Sequence, residues 1–370
     1  MAPTMLVLSA VSRSLALQSP ASWDVARDRG MELTFAAAED AWTPELARWG
    51  AFLPLRGTRS VRPAGLARMA ADLRRLAERD WDLVQVQTPI VAALWRLLAP
   101  AHLRDRTVYV VHGLHAQRDD RGVGPAAVRA LEALLAPRAA AVATVSVEDA
   151  AWFRALPGLL HPRTIRSLPG AGVDVSRFRD AEPLASAPRP FALFCGDLNA
   201  NKDPLLAVAA VERCRAAHPD LGLVVVGEGP LAPVLAELAE DRPWLTLVPR
   251  TLDVGAWLAA AAVLLSPSRR EGVPRVVIEA LAVGTPVVAR ENRGSRELLV
   301  GGAGTILPAG ATAEEWARTV AGVLDGSVPH RPTIGRAWAY DVSAFRPAYA
   351  RLLDAVRATA GARPPTATDV

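Results

Sequence analysis

Three side chains have the types and spacing to do chemistry on a charged, hydroxyl-rich molecule. Lys202, within "FCGDLNANKDP", is the only lysine in a chain whose 42 basic residues are otherwise all arginine, which makes it a candidate functional residue. Glu271 precedes a predicted helix and Glu279 lies about one and a half turns inside it. Eight residues at about 100° each would leave the two carboxylates within roughly 80° of one face. Two such acceptors suit the hydroxyl pairs of a sugar and a ribose. The same spacing fits a solvated helix carrying two acids, and spacing alone leaves both interpretations open.

The segment that carries the two acids has the layout of a binding loop. It reads "SPSRREGVPRVVIEALAVGTPVVARENRGSREL" from Ser266 to Leu298, and an apolar strand precedes it. Pro274 falls where a helix begins, a position at which its missing N–H costs nothing. With Gly272 allowing close approach, the amides of the first turn favour an anion or a hydroxyl group.

The elements that must position these residues follow a repeating pattern of short apolar runs and longer amphipathic segments. This alternation is typical of βαβ units with a parallel sheet, and in such sheets ligands bind beyond the carboxyl ends of the strands. The predicted strands are Met5–Val11, Met31–Phe35, Leu83–Gln87, Thr107–His112, Ala141–Thr144, Phe191–Cys195, Gly222–Val226, Leu245–Leu247, Val263–Ser266, Pro286–Val288 and Thr305–Leu307.

The pattern occurs twice, which predicts an α/β protein of two facing Rossmann-like, doubly wound domains with a cleft between them. The interruption is the Pro- and Ala-rich stretch Arg179–Pro190. We expect a first domain over residues 1–172, a hinge over 173–190 and a second domain over 191–340. A helix over residues 341–362 is predicted to cross back over the domain junction, and residues 363–370 are predicted to be disordered.

Composition narrows the class of protein. The formal charge is +4 with scattered arginines, so we expect no nucleic-acid partner. Cys195 and Cys214 have neither disulfide nor metal-ligand spacing. No run of 18 apolar residues and no basic leader is present, so a cytoplasmic protein is expected. Peripheral contact with the inner membrane face and the oligomeric state stay open.

Several segments together resemble the family-4 glycosyltransferases of the GT-B fold, nearest to the bacterial exopolysaccharide and capsule branch. "EGVPRVVIE", "GTPVVA" and "ENRGSREL" resemble the region of that family with two glutamates separated by seven residues. "QVQTPIVAAL" is similar to its "H.HTPI" turn, "VVHGLHA" to its "T.HG.H" turn, and "LPGAGVDVSRF" to its hinge. "GEGP" matches a glycine turn of its second domain. The segments occur in the family's order and cover most of the chain.

This resemblance implies a retaining transferase that moves a sugar from a nucleotide-diphosphate sugar, with a UDP-sugar expected, to a hydroxyl of a glycan, a lipid-linked glycan or a secondary metabolite. No metal and no other cofactor is expected. The catalytic residues implied are Glu271 at the sugar hydroxyls, His112 at the leaving phosphate or sugar, and Lys202 at the diphosphate. The donor site implied comprises Gly196, Lys202, Gly227, Arg250, Glu271, Gly272, Val273, Pro274 and Glu279, and the acceptor side Ser9, Ser12 and His115.

Two features depart from the family pattern. Asp197 stands where much of the family has an arginine that pairs with the lysine on the diphosphate, so a second cation must come from elsewhere; Arg270, Arg275 and Arg293 are candidates. "LSAVSRS" replaces the glycine loop after the first strand. A degenerate sugar-nucleotide-binding subunit is therefore kept as an alternative. A sugar-nucleotide 2-epimerase shares the two-domain architecture and is a second alternative, although the segment with the two glutamates argues against it. A phosphorylase would need its cofactor lysine in another motif.

Overall fold

The chain folds into two compact α/β units. The computed structural model describes residues 2–18, 20–58, 62–116, 120–188, 190–330 and 334–361. The first unit runs from the N-terminus to Gly172 and also contains the chain from Val342 onward, and the second is Val173–Asp341. No helix among these described residues is long and apolar enough to cross a membrane.

The first unit is built on a parallel sheet in the order β3-β2-β1-β4-β5-β6-β7. Its strands are β1 Thr4–Val11, β2 Glu32–Ala38, β3 Gly50–Pro54, β4 Leu83–Gln87, β5 Thr107–Val111, β6 Ala141–Thr144 and β7 Ile165–Ser167. Its helices are α1 Ser12–Gln18, α2 Pro20–Asp28, α3 Thr43–Leu46, α4 Pro63–Leu76, α5 Pro89–Leu98, α6 Ala101–Arg104, α7 Val123–Leu135 and α8 Val147–Arg154, with short 3₁₀ turns at Ala136–Arg138 and Gly158–Leu160.

The second unit repeats this plan with the strand order β10-β9-β8-β11-β12-β13, again all parallel. Its strands are β8 Phe191–Cys195, β9 Gly222–Val226, β10 Leu245–Val248, β11 Val263–Ser266, β12 Val287–Arg290 and β13 Thr305–Leu307. Its helices are α9 Val175–Arg179, α10 Pro204–Cys214, α11 Ala232–Glu240, α12 Val254–Ala260, α13 Arg275–Val283, α14 Arg293–Leu298, α15 Ala313–Leu324 and α16 Ile334–Trp338, with a 3₁₀ turn at Val300–Gly302. The last helix, α17 Val342–Gly361, belongs to the first unit and packs on α2.

Each sheet is covered by helices on both faces. In β1, Met5 joins the apolar cluster on one face, which includes Trp23 of α2, while Leu6 joins the other, which includes Trp95 of α5. Phe191 and Phe194 of β8 divide in the same way between the two clusters of the second unit. Strands buried on both faces have continuous apolar sequences, which is why their pattern predicts a parallel sheet. The predicted fold class of two Rossmann-like α/β halves is confirmed.

The predicted strands all occur, but β3 and β7 were missed. They are the two edge strands of the first sheet, and no residue of either is fully buried, so their apolar signal is weak. Within the segment predicted as a hinge, Val173, Val175 and Phe178 instead join the core of the second unit. The tail predicted as disordered, residues 363–370, lies outside the described residues.

Candidate active site

Lys202 and Glu271 lie at the carboxyl ends of the neighbouring strands β8 and β11, and their side chains form an ion pair. The side chains are 25% and 13% exposed, so the pair is largely withdrawn from water. Burial by itself lowers the pKa of Lys202, but the attraction and hydrogen bond of Glu271 outweigh it and leave the pKa raised. Lys202 therefore stays a cation at neutral pH.

Two loops are joined to bring this pair together. Asn199 accepts hydrogen bonds through its Oδ1 from the backbone N–H groups of Asn201 and Lys202, both at 3.0 Å. The Asn201 carbonyl accepts from the N–H of Arg269 at 2.7 Å, and the Asn201 side-chain amide donates to the Arg270 carbonyl at 3.0 Å. The loop after β8 is thus fixed to the loop after β11 by main-chain contacts, which leave Lys202 little freedom to move away from Glu271.

Asp203, the residue after Lys202, has a strained backbone conformation. It has φ +54° and ψ +51°, the left-handed region, and Pro204 follows it at the start of α10. This backbone costs a non-glycine residue about 1–2 kcal/mol. The carboxylate of Asp203 accepts from Arg290 at 2.7 Å and lies 3.2 Å from Arg269. These two contacts hold the turn that presents Lys202.

Glu271 lies in the loop before the helix, as the sequence predicts, and α13 begins at Arg275, since Pro274 has an extended backbone with ψ +115°. The estimated angle of roughly 80° between the two carboxylates does not apply, because the chain is not helical between Glu271 and Pro274. Glu279 lies inside α13, 9% exposed, with Arg275 Nε 3.8 Å from its carboxylate. Burial raises the pKa of Glu279, and Arg275 and Arg177 oppose that rise. Gly272, Val273 and Pro274 form the link between the two acids.

The start of α14 buttresses this link, a feature that sequence reasoning missed. The Asn292 side chain caps α14 and donates to the Ser268 carbonyl at 2.9 Å. A Cβ on Gly294 would lie 2.4 Å from Pro274 Cδ and 2.8 Å from the Gly272 carbonyl oxygen. Only glycine therefore lets α14 approach the Glu271 loop so closely. The "ENRGSREL" match pointed to this region without indicating a packing role.

The predicted glycines and Arg250 surround the end of β8. A Cβ on Gly227 would lie 1.9 Å from the Gly196 carbonyl oxygen, so Gly227 is required by the approach of these two turns. Arg250 Nη2 donates to Asp197 Oδ1 at 2.8 Å, and its Nε lies 3.8 Å from Glu228. Asp197, the departure from the family pattern, is therefore neutralised by Arg250.

Cys195, the last residue of β8, shows that several of these charges converge. Burial raises the pKa of its thiol to about 12, and Glu279 contributes, while Arg250 and Lys202 act in the opposite direction. A thiol with this pKa stays protonated and is a poor nucleophile at neutral pH. The chemistry at this edge therefore depends on charge and hydrogen bonding.

In the first unit, His112 follows β5 and its Nε2 lies 3.0 Å from Gln87 Oε1. Both residues line a cavity of about 150 Å³ together with Ser14, Thr88 and His115. Of the predicted acceptor-side residues, His115 thus lies beside His112.

The other two acceptor-side candidates lie within the fold. Ser9 is fully buried in β1. Ser12 donates to the Ala38 carbonyl at 2.9 Å and accepts from Thr43. Helix α1 begins directly where β1 ends, so no loop stands between them in place of the family's glycine loop.

The three arginines predicted as candidates for the second cation have different surroundings. Arg275 faces Glu279, Arg293 is 3% exposed at the start of α14, and Arg270 is exposed in the Glu271 loop.

The sequence also contains a D-x-D triplet, the pattern of metal-dependent transferases, at Asp80–Asp82. It precedes β4, at the amino edge of the sheet, where Asp80 pairs with Arg106 and Asp82 accepts from Thr4. Among the described residues no group of three His, Cys, Asp or Glu side chains is placed to hold a metal ion.

Comparison with known proteins assigns both halves of the chain to glycosyltransferase patterns. Residues 25–177 match Glycosyltransferase Family 4, and residues 189–326 match Glycosyl transferases group 1. The chain is 28% identical over 237 residues to the putative glycosyltransferase EpsD of Bacillus subtilis, a match that spans 60% of this chain but only 61% of EpsD. It is 29% identical over 313 residues to the 2-deoxystreptamine glucosyltransferase of Streptomyces kanamyceticus, covering 78% of this chain and 80% of that protein.

Solved structures show the same architecture. HepE of Anabaena, crystallised with UDP and glucose, aligns with a TM-score of 0.72 at 17% identity, over 95% of this chain and all of that one. At this identity the likeness concerns the fold alone.

Proposed function

Because the chain belongs to the family-4 glycosyltransferases of the GT-B fold, we propose that it moves a sugar from a UDP-sugar to a hydroxyl acceptor with retention at the anomeric carbon. The observation that carries the proposal is the Lys202–Glu271 pair, fixed by the joined loops at the carboxyl edge of the second sheet. A cation and a carboxylate held side by side suit the two ends of a sugar diphosphate.

The proposed step needs no covalent enzyme intermediate. The bond between the anomeric carbon and the phosphate oxygen breaks, and its electron pair goes to the phosphate. The acceptor oxygen bonds to the anomeric carbon from the same face, and its proton passes to the departing phosphate oxygen. Lys202 stabilises the charge that develops on the diphosphate, Glu271 accepts hydrogen bonds from the sugar hydroxyls, and Glu279 accepts from the ribose.

Arg250 is our proposal for the second cation on the diphosphate. Arg250 is bonded to Asp197, and Asp197 lies in the same loop as Lys202. Arg250 and Lys202 both oppose the rise in the pKa of Cys195 at the end of β8, so both charges lie near that thiol. Arg275 and Arg293 are instead paired with Glu279 and packed into α14, as described above. With two such cations the proposed site needs no bound metal to neutralise the leaving group.

Donor and acceptor classes follow from the relatives. HepE was crystallised with UDP and glucose and with UDP-glucose, which supports a UDP-sugar donor. The resemblance to the exopolysaccharide branch favours a glycan acceptor, whereas the 2-deoxystreptamine glucosyltransferase favours a small-molecule acceptor. We propose that transfer takes place in the cytoplasm. Contact with the inner membrane face stays a prediction.

The test is release of nucleoside diphosphate from UDP-, GDP- and dTDP-sugars, with mass detection of a glycosylated acceptor. Lys202→Ala and Glu271→Ala are each expected to lower turnover by about a hundredfold or more without unfolding the protein. Glu271→Gln should lose transfer yet bind free UDP more tightly than wild type, because the carboxylate that occupies Lys202 is gone. Arg318→Ala, which removes an exposed arginine of α15 outside the Glu271 loop, is the control and should leave turnover unchanged.

Two outcomes would reject the proposal. Wild-type rates in both Lys202→Ala and Glu271→Ala would show that the donor site lies elsewhere. Tight UDP-sugar binding without turnover on any acceptor would favour the non-catalytic subunit, and conversion of the donor sugar itself would favour the epimerase.

A further inference from the structure

A line of buried polar side chains in the first unit leads to His112, which the family resemblance places at the leaving phosphate or sugar. It begins at Tyr349 of α17, whose O–H donates to Gln85 Oε1 at 2.5 Å. Gln85 Nε2 lies 3.5 Å from Gln87 Oε1, and that same oxygen lies 3.0 Å from His112 Nε2. Tyr349 and Gln87 are fully buried, and Gln85 is 1% exposed. Polar groups this deep are kept in a fold only where their hydrogen bonds matter.

The orientations of the two glutamine amides give the hydrogen-bond directions along this line. Burial raises the pKa of Tyr349, so its hydroxyl is present as a donor. Since Gln85 accepts through Oε1, its amide nitrogen faces Gln87, which must therefore present its own oxygen. A carbonyl oxygen only accepts, so the nitrogen of His112 that contacts it has to carry a proton.

Gln87 also has a group that points to a ligand. It lines the cavity of about 150 Å³ beside His112, and its Nε2 is buried without a hydrogen-bond partner among the described residues. A buried donor without a partner is unfavourable, so a ligand that accepts from it would be stabilised there. The next residue, Thr88, has φ +68° and accepts from the Ala10 N–H at 2.9 Å, which fixes the backbone that carries Gln87. A β-branched residue with this φ marks a strained turn.

We propose that Gln87 is a positioning residue that holds His112 as the Nε2–H tautomer, with Gln85 and Tyr349 setting the direction of its amide. This proposal rests on the proposed function, because it concerns the orientation of His112 in the transferase. It leaves Nδ1 as the acceptor nitrogen of the neutral ring. Both glutamines stand where the similar "H.HTPI" motif has histidine, so the side chain that contacts His112 Nε2 is a neutral amide that does not titrate. The tautomer is then the same throughout the pH range in which His112 is neutral.

The direct test is ¹⁵N NMR of the imidazole nitrogens in the full-length protein, with the His112 signals assigned from a His112→Asn variant. In wild type at neutral pH, Nε2 should be protonated and Nδ1 not. Gln87→Met, which keeps the length and removes the acceptor, should give a mixture of tautomers and lower kcat/KM about tenfold. Gln87→Glu should raise the pKa of His112 and move the acid limb of the kcat/KM profile to higher pH.

Tyr349→Phe keeps the test informative if the Gln87 variants fail to fold. It should shift the His112 tautomers in the same direction as Gln87→Met but less. Tyr340→Phe is the matched control, since it removes a buried hydroxyl that is bonded to Glu297 in the second unit. It should leave the His112 signals unchanged.

Unchanged His112 tautomers in both Gln87→Met and Tyr349→Phe would overturn the proposal, as would an Nε2 without a proton in wild type. The NMR measurement needs no substrate. A wild-type protein that turns over no donor would therefore reject the proposed function while the tautomer result still stood or fell on its own.

Discussion

The carboxyl edges of the two sheets differ in what they present, although the two units share one fold. At the second sheet, the loops after β8, β10 and β11 and the end of β12 hold the ion pairs Lys202–Glu271, Arg250–Asp197 and Arg290–Asp203. At the first sheet, the cavity is lined by neutral hydroxyl and amide side chains and two histidines. One edge is thus arranged for a charged group and the other for neutral hydrogen bonding. The difference fits a proposed division between the diphosphate and the hydroxyl chemistry.

Charge is not absent from the first unit, but it is used for structure. Arg96 and Glu132 pair at 2.8 Å between α5 and α7, with side chains 0% and 5% exposed. Arg96 also lies over the ring of Tyr109, 4.0 Å from its centre, and the Tyr109 hydroxyl donates to Glu132. The pair joins two helices and is shielded from solvent. In the second unit, by contrast, the paired charges line a surface edge.

The largest expected effect comes from breaking this buried pair. Glu132→Ala leaves the Arg96 guanidinium buried without its carboxylate, which should lower the free energy of unfolding by about 3–5 kcal/mol. Urea unfolding followed by tryptophan fluorescence measures the change. Glu212→Ala, which removes the carboxylate of the exposed Arg242–Glu212 pair, is the control and should cost about 0–1 kcal/mol. Equal losses in the two variants would contradict the assignment of Glu132 to the core.

The sequence predicts the buried central strands of the two sheets better than their exposed edge strands. Central strands such as β1 and β8 are apolar on both faces, so their periodicity was sufficient, whereas the edge strands β3 and β7 have too little buried surface to be recognised. In the site, Lys202 and Glu271 were found through residue type and resemblance. The packing of α14 that positions the Glu271 loop was not recognised from the sequence.

What the sequence could not predict are contacts between residues far apart in the chain. The Arg250–Asp197 pair joins residues 53 positions apart, and the Tyr349–Gln85 bond joins residues 264 apart. No local pattern indicates either one. The left-handed backbone of Asp203 and the close contact of Gly294 with Pro274 likewise depend on residues that come together only in the folded chain.

A smaller effect is expected from moving the Glu271 loop without touching its charge. Gly294→Ala would place a methyl group against Pro274 and the Gly272 carbonyl, which should cost about 1–3 kcal/mol and displace Glu271 from Lys202. Turnover should fall while UDP binding changes less. The measurement is kcat, with KM for the donor, at a temperature where the variant is folded.

Gly322→Ala is the matched control for this variant. Gly322 also lies in a helix, α15, which is not part of the Glu271 loop. An added methyl group would meet Val328 Cγ2 at 2.6 Å. It should lower stability but leave kcat unchanged. A drop in kcat of the same size in both variants would show that general destabilisation, and not the position of Glu271, limits turnover.

The smallest effect concerns Glu279 and separates binding from stability by their opposite pH dependence. Because burial raises its pKa, Glu279 takes up a proton at a higher pH than an ordinary glutamate as the pH is lowered. A raised folded-state pKa means that its contribution to folding stability is present at low pH and is lost as the pH rises through that pKa. Its proposed role as an acceptor for the ribose hydroxyls requires the carboxylate and so weakens as the pH falls.

Relative to Glu279→Gln, which does not titrate, wild type should therefore gain unfolding free energy and lose UDP affinity on acidification. Calorimetric titration and urea unfolding at matched pH values measure the two trends, and parallel trends in wild type and Glu279→Gln would exclude a ribose-binding carboxylate at this position.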